Sequence, residues 1–156
     1  MPRVLSRSFG IVDYVAGEEF VFPTGLPGFS LETAFLPVEV PEQLPLVYLQ
    51  SMRTPELCFV ALPANCIVAG YLVSANPEDL ETIRVNQDEP DGIHPGPETL
   101  CLALLCFSED GTVTANLRAP LVVNLKSRIG VQMIQNDDRY PIRFLLETGE
   151  EVSVCS

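Results

Sequence analysis

Cations are scarce in this chain of 156 residues: 9 Lys and Arg stand against 21 Asp and Glu, a formal net charge of −12. Affinity for nucleic acid comes mainly from cations that release counterions from the phosphate backbone, so a chain this acidic repels it and direct nucleic-acid binding is not expected. The carboxylate surplus either steers a basic protein partner inward or serves only solubility. Histidine is nearly absent. His94 sits in the polar, Pro- and Gly-rich stretch 86–99, a poor platform for a base that must activate a Ser or Cys nucleophile. No acid lies on an apolar strand face, where burial would raise its pKa for proton transfer, and there is no glycine-rich phosphate loop. Catalysis is not expected.

Long apolar runs are missing too. The longest, Leu100 to Phe107, has eight residues, against the roughly 20 that cross a bilayer as a helix, so no membrane span is expected. The opening MPRVLSRSFGIVDYV carries Arg3 and Arg7 but no apolar leader core and no small-residue cleavage site. The five cysteines, Cys58, Cys66, Cys101, Cys106 and Cys155, are odd in number and contain no CxxC; a reducing, cytoplasmic location is the expectation. Cys101 and Cys106, five apart on one strand, point to opposite faces, and Cys58 and Cys66 are separated by Pro63 with no second pair, so a zinc site is not expected. These four read as small buried hydrophobes and Cys155 as an exposed thiol. One near miss to a calcium loop places Gly92 at the turn, Glu89 and Asp91 at ligand positions and Glu98 at the bidentate position. Gln87 replaces its first carboxylate, and Pro95 and Pro97 forbid the helix that must follow. No metal and no cofactor is expected.

What the chain has is many short apolar runs between turn residues: 47% hydrophobic residues, 14 Pro and 10 Gly. That pattern predicts an all-β fold, a small antiparallel β-barrel-like single domain over 1–156, with a core over about 8–147 and an acidic tail at 148–156. Strands are expected at Ser8–Val15 and Glu19–Phe22, joined by a hairpin at Ala16-Gly17, then at Ala34–Val38, Leu46–Gln50, Leu57–Leu62 and Ile67–Val73. Further strands are expected at Leu100–Phe107, Thr112–Leu117, Leu121–Leu125, Val131–Gln135 and Ile142–Glu147, with a turn at Glu109-Asp-Gly111. One short helix is expected from Asn76 to near Val85: Asn at the N-cap, Pro77 at the first helical position, acids in the first turn, and Leu80 and Ile83 toward the core. The stretch 86–99 reads as a projecting, mobile loop. In Phe22-Pro-Thr-Gly-Leu-Pro-Gly-Phe29 the prolines and glycines specify turns, and Phe22 and Phe29 are expected to anchor the loop on the core.

The organising segment is Asn116-Leu-Arg-Ala-Pro-Leu-Val-Val-Asn124. Pro120 donates no ladder hydrogen bond, so a bend or sheet edge is expected between its two apolar runs. The flanking amides either satisfy loop backbone or touch a partner.

Taken in order, these pieces resemble the flagellar assembly factor FliW family. The residues that carry the resemblance are Phe22 with Gly25-Leu-Pro-Gly-Phe29, Leu49-Gln-Ser51, Phe59 with Pro63, the Asn116–Asn124 segment, Gly130-Val-Gln132 and Tyr140-Pro-Ile-Arg143, running from about Gly10 to Leu146. The resemblance implies a cytoplasmic bacterial protein that acts by binding flagellin and the basic, dimeric translational repressor CsrA. Export of flagellin would free the factor to bind CsrA and relieve repression of flagellin mRNA. A flagellin-specific chaperone without CsrA regulation is the alternative, and a metal- or thiol-dependent enzyme a third reading. Gln50, Ser51, Asn116 and Asn124 are the candidate partner-binding residues, with turn support as the competing role for each. The proline-rich stretch 86–99 and the Leu44-Pro45 break depart from the family pattern, so contacts there are not carried over. A monomer is expected, because a closed barrel leaves no open edge.

Overall fold

The computed structural model describes residues 1–85 and 92–146. Its elements in chain order are β1 (Arg3–Ser6), β2 (Gly10–Asp13), β3 (Phe20–Val21), β4 (Ala34–Val38), β5 (Val47–Ser51), β6 (Cys58–Pro63), a single helical turn α1 (Ala64–Ile67) and helix α2 (Pro77–Ile83). They continue as β7 (Thr99–Phe107), β8 (Val113–Asn124), β9 (Ile129–Gln132) and β10 (Phe144–Leu146). Seven strands close a ring in the order β8-β7-β6-β5-β4-β3-β9 and back to β8. Every neighbour in it is antiparallel except β3 and β9, which run parallel at Val21 and Ile129. β10 joins the part of β8 that β9 does not reach. The fold class is therefore all-β, a closed barrel with the short helix α2, as the spacing of apolar runs and turn residues predicts.

Two apolar clusters share the β7–β8 wall. Inside the barrel, Phe20, Phe22, Phe35, Leu49, Leu102, Leu121 and Val123 pack together. Outside it, Tyr71, Val73, Ile83, Ile93, Cys101, Ala103, Ala115, Leu117 and Val122 form a second cluster beneath α2 and the segment that flanks it. Alternate residues of β7 therefore enter opposite apolar cores. This is why Leu100–Leu105 reads as a continuous apolar run and not as an alternating one, whereas Cys106 and Phe107 at its end are exposed.

Several sequence expectations change. β2 pairs with β1 and β3 with β4 and β9, so Ala16-Gly17 joins no hairpin. The N-terminal hairpin turns instead at 6–10, where the Ser6 hydroxyl accepts from the amides of Ser8 and Phe9 and Gly10 adopts a φ of 74°. Ile67–Val73 is not a strand. Pro63 leads into α1, Tyr71 is drawn across the outer wall by donating its hydroxyl to the Leu117 carbonyl at 2.6 Å, and Val73 forms only a bridge with Ile93. That bridge also fastens the end of the expected loop, since Ile93 is buried and exchanges two backbone bonds with Val73 at 2.8 and 2.9 Å. Positions 86–91, including Gln87, Glu89 and Asp91 of the calcium-loop near miss, lie outside the described residues, as do 147–156 with the acidic tail and Cys155. Helix α2 begins as read: the Asn76 side chain accepts from the Asp79 amide at 2.8 Å, Pro77 stands at the first position, and the chain leaves through Arg84 at φ 62°. Phe22 is buried, but Phe29 is 41% exposed, resting edge-on against Phe59. Among the cysteines, Cys101 is buried and its thiol is pushed up to about 12 by desolvation, whereas Cys106 is exposed and not the buried hydrophobe expected.

Candidate partner-binding surface

Thr112–Leu117 and Leu121–Leu125, expected as two strands, are one strand with a change of phase. Leu121 pairs with Leu102 and Asn116 with Leu104, so the residues of β8 between them oppose a single residue of β7. A strict period of two would place 115, 117, 121 and 123 on one face. In the structure Ala115 and Leu117 enter the outer cluster and Leu121 and Val123 the barrel. The displaced residues make this a β-bulge, which re-aims the side chains that follow it.

Asn116 builds that bulge. Its side-chain oxygen accepts from the amides of Arg118 and Ala119, both at 3.1 Å. The carbonyls that the bulge turns away from β7 are taken by the end of β9 and the chain that follows it. The Arg118 carbonyl accepts from the Gln135 amide at 2.8 Å, that of Ala119 from the Gln132 side chain at 3.0 Å, and that of Pro120 from the Met133 amide at 2.9 Å. Pro120 thus occupies a position where a missing N–H costs no ladder bond. The Arg118 guanidinium donates from Nε to the Tyr140 carbonyl at 2.9 Å, tying the approach to β10 to the same bulge.

The other three predicted residues lie deeper. Asn124 donates to the Ile83 and Arg84 carbonyls at 2.8 and 3.3 Å and accepts from the Lys126 amide, binding the C-terminus of α2 to the barrel. Gln50 is fully buried; its side chain accepts from the Ser6 hydroxyl at 2.7 Å and donates toward the carbonyls of Ser51, Thr54, Pro55 and Leu57 at 3.1–3.3 Å, joining the N-terminal hairpin to the β5–β6 turn. The Ser51 hydroxyl donates to Glu32 and accepts from the amides of Arg53 and Thr54. Glu32 also accepts from the Thr54 hydroxyl at 2.8 Å, and the bond from Ser51, aided by Thr54 and the Arg53 charge, holds its carboxyl below the usual range. The four residues do not form one site; they fasten three separate junctions.

The exposed surface shows a different chemistry. Beyond the bulge, where β10 replaces β9, the face that continues from the barrel interior has no cover among the described residues. A groove of 250 Å³ lies there between Phe59, Leu104, Cys106, Thr114, Asn116 and Ile142. Leu145, paired with Thr114, is 63% exposed and Ile142 is 52% exposed. Only Asn116 of the four predicted residues reaches it; the apolar lining was missed because each of its residues also reads as core. At one end of the barrel a larger depression of 710 Å³ includes Glu18, Glu39, Leu44 and Arg128, the last stacked 4.5 Å from the Phe20 ring centre. Among the described residues no group of three His, Cys, Asp or Glu side chains is placed to hold a metal, and no helix is long and apolar enough to cross a membrane.

The fold is a closed barrel whose buried polar side chains brace turns, with an apolar face beside it that no described residue covers. Comparison with known proteins makes this specific: the FliW protein family model matches residues 3–146, and the chain belongs to the FliW family. The flagellar assembly factor FliW of Syntrophomonas wolfei is 31% identical over 142 residues, covering 90% of this chain and 86% of that one. That of Oceanobacillus iheyensis is 29% identical, covering 88% and 89%. The crystal structure of a flagellar assembly factor FliW superposes with a TM-score of 0.78 over 92% of this chain and 96% of that one, at 23% identity, a likeness of fold.

Proposed function

We propose that this protein is a non-enzymatic, cytoplasmic flagellar assembly factor that binds flagellin and the translational repressor CsrA, antagonising CsrA and so relieving repression of flagellin mRNA translation. The observation that carries the reading is family membership over 3–146, nearly the whole described chain. The charge of −12 supports the CsrA half, because an acidic surface speeds association with a basic dimer. Two partners drawing on one pool of adaptor make a switch whose setting follows their concentrations relative to their affinities. Asn116 is the predicted residue placed to touch a partner; Gln50, Ser51 and Asn124 act by holding the framework. The protein works as a monomer.

Titration calorimetry of the purified protein against the CsrA of its own organism, alone and with saturating flagellin, tests this. Tight binding of CsrA that flagellin abolishes is the expected result. Binding of flagellin with none of CsrA would leave the alternative, a flagellin-specific chaperone, and binding of neither would remove both.

A further inference from the structure

The groove beside β10 differs from the rest of the surface in charge. The protein carries 21 acidic side chains, yet those named around the groove, Phe59, Leu104, Cys106, Thr114, Asn116 and Ile142, include no carboxylate, and Arg143 at its margin brings a positive charge. A basic partner finds nothing here to pair with. The outer edge of β10 has no strand beside it among the described residues, since its one ladder is with β8. The strand Phe144–Leu146 contains no charge or proline, the devices that blunt exposed edges. Phe29 extends the apolar surface through its edge-on contact with Phe59, ring centres 5.5 Å apart.

We propose that this face docks an extended apolar segment, free of basic side chains, belonging to a partner protein, and that the segment adds a strand to β10 while alternate side chains enter the groove. Strand addition takes affinity from main-chain bonds and selectivity from pockets spaced two residues apart. The side of Leu145 and Thr114 supplies the pockets, and Asn116 at the groove floor has its amide nitrogen left to meet a carbonyl, its oxygen being held by the bulge. This rests on the two-partner reading above and refines it: flagellin occupies the uncharged face, the basic dimer docks on separate acidic surface, and bound flagellin excludes the dimer by its bulk, not by sharing its contacts.

The test is a double variant of the full chain, Ile142→Asp with Leu145→Asp, titrated against flagellin and, separately, against CsrA. Both side chains are more than half exposed, so the fold should survive, and an unchanged urea midpoint checks it. A fall in flagellin affinity of at least about tenfold with CsrA affinity kept within about twofold is expected. Leu5→Asp on the N-terminal hairpin, also exposed, should alter neither titration. Unchanged flagellin binding by the double variant overturns the docking proposal while leaving the two-partner reading intact. If the wild-type chain binds neither partner, that reading falls and the proposal with it. Concentration-dependent dimerisation of the wild type that the double variant abolishes would assign the face to a second copy and also overturn it.

Discussion

The two halves of the β7–β8 hairpin have nearly the same composition and opposite fates. Leu102 and Leu121, in the half that closes the barrel, are fully buried against Phe35 and Leu49. Cys106 and Thr114, in the half beyond the bulge, face the same way as Leu104 and end beside an open groove. The difference arises from what pairs with β8: β9 on the inner half, which continues round to β3, and β10 on the outer half, which has no further strand beside it among the described residues. Whether an apolar face of β8 becomes core or stays exposed is decided by which strand pairs beside it.

The strongest way to sharpen that contrast is truncation on the inner side. Leu121→Ala should lower the unfolding free energy in urea by about 2–5 kcal/mol, because closed neighbours cannot collapse into the space. Removing the link between barrel and helix comes next. Asn124→Ala leaves the Arg84 carbonyl and the Lys126 amide without their partner, and the Ile83 carbonyl with only the 3.3 Å bond from the Ser127 hydroxyl; it should cost about 1–3 kcal/mol, with amide exchange accelerating in α2 first. Asn116→Ala should cost about 1 kcal/mol and speed exchange at Arg118 and Ala119; unchanged exchange there would show that the bulge does not depend on its side chain.

A pH series probes the junction on the far side of the barrel. Because the Glu32 carboxyl is held below its ordinary 4.5, its contribution is complete above that value and is lost as pH falls through the lower folded-state value. Glu32→Gln should therefore unfold with less dependence on pH in that acid window than the wild type, and an equal dependence would place the acid sensitivity elsewhere. The smallest stability effect is expected on the open half: Leu145→Ala should shift the unfolding free energy by no more than about 0.5 kcal/mol, since the side chain is 63% exposed. A loss as large as that of Leu121→Ala would erase the distinction between the two halves.

Local signals were read well where one residue type has one conformational consequence. Asn76-Pro77 starts α2, and Asp110-Gly111 closes the β7–β8 hairpin with Gly111 at φ 89°. Pro120 does mark an irregularity, yet it lies within a strand, because the carbonyl acceptors around it are satisfied by β9 and its extension, which no local pattern reveals. The N-terminal hairpin was missed because its turn depends on the Ser6 hydroxyl, itself placed by Gln50 across 44 residues. Of the candidate site, Asn116 and Asn124 stand out as amides at the two ends of an apolar segment, and Gln50 and Ser51 as polar residues of the family motif; all four lie at junctions. The apolar lining of the groove did not stand out, since a buried leucine and a docking leucine carry the same letter.

By itself the sequence determined the β class and the capped helix α2, because turn chemistry and alternation act over a few residues, and its motifs carried the resemblance to the family. Only the tertiary structure decided that the sheet closes through the parallel β3–β9 pair, that β8 changes face at 118–120, and that one half of a mostly apolar hairpin is left without cover among the described residues. Those outcomes depend on which strands meet across long stretches of chain, and pairing of that kind is set by the packing of the whole barrel.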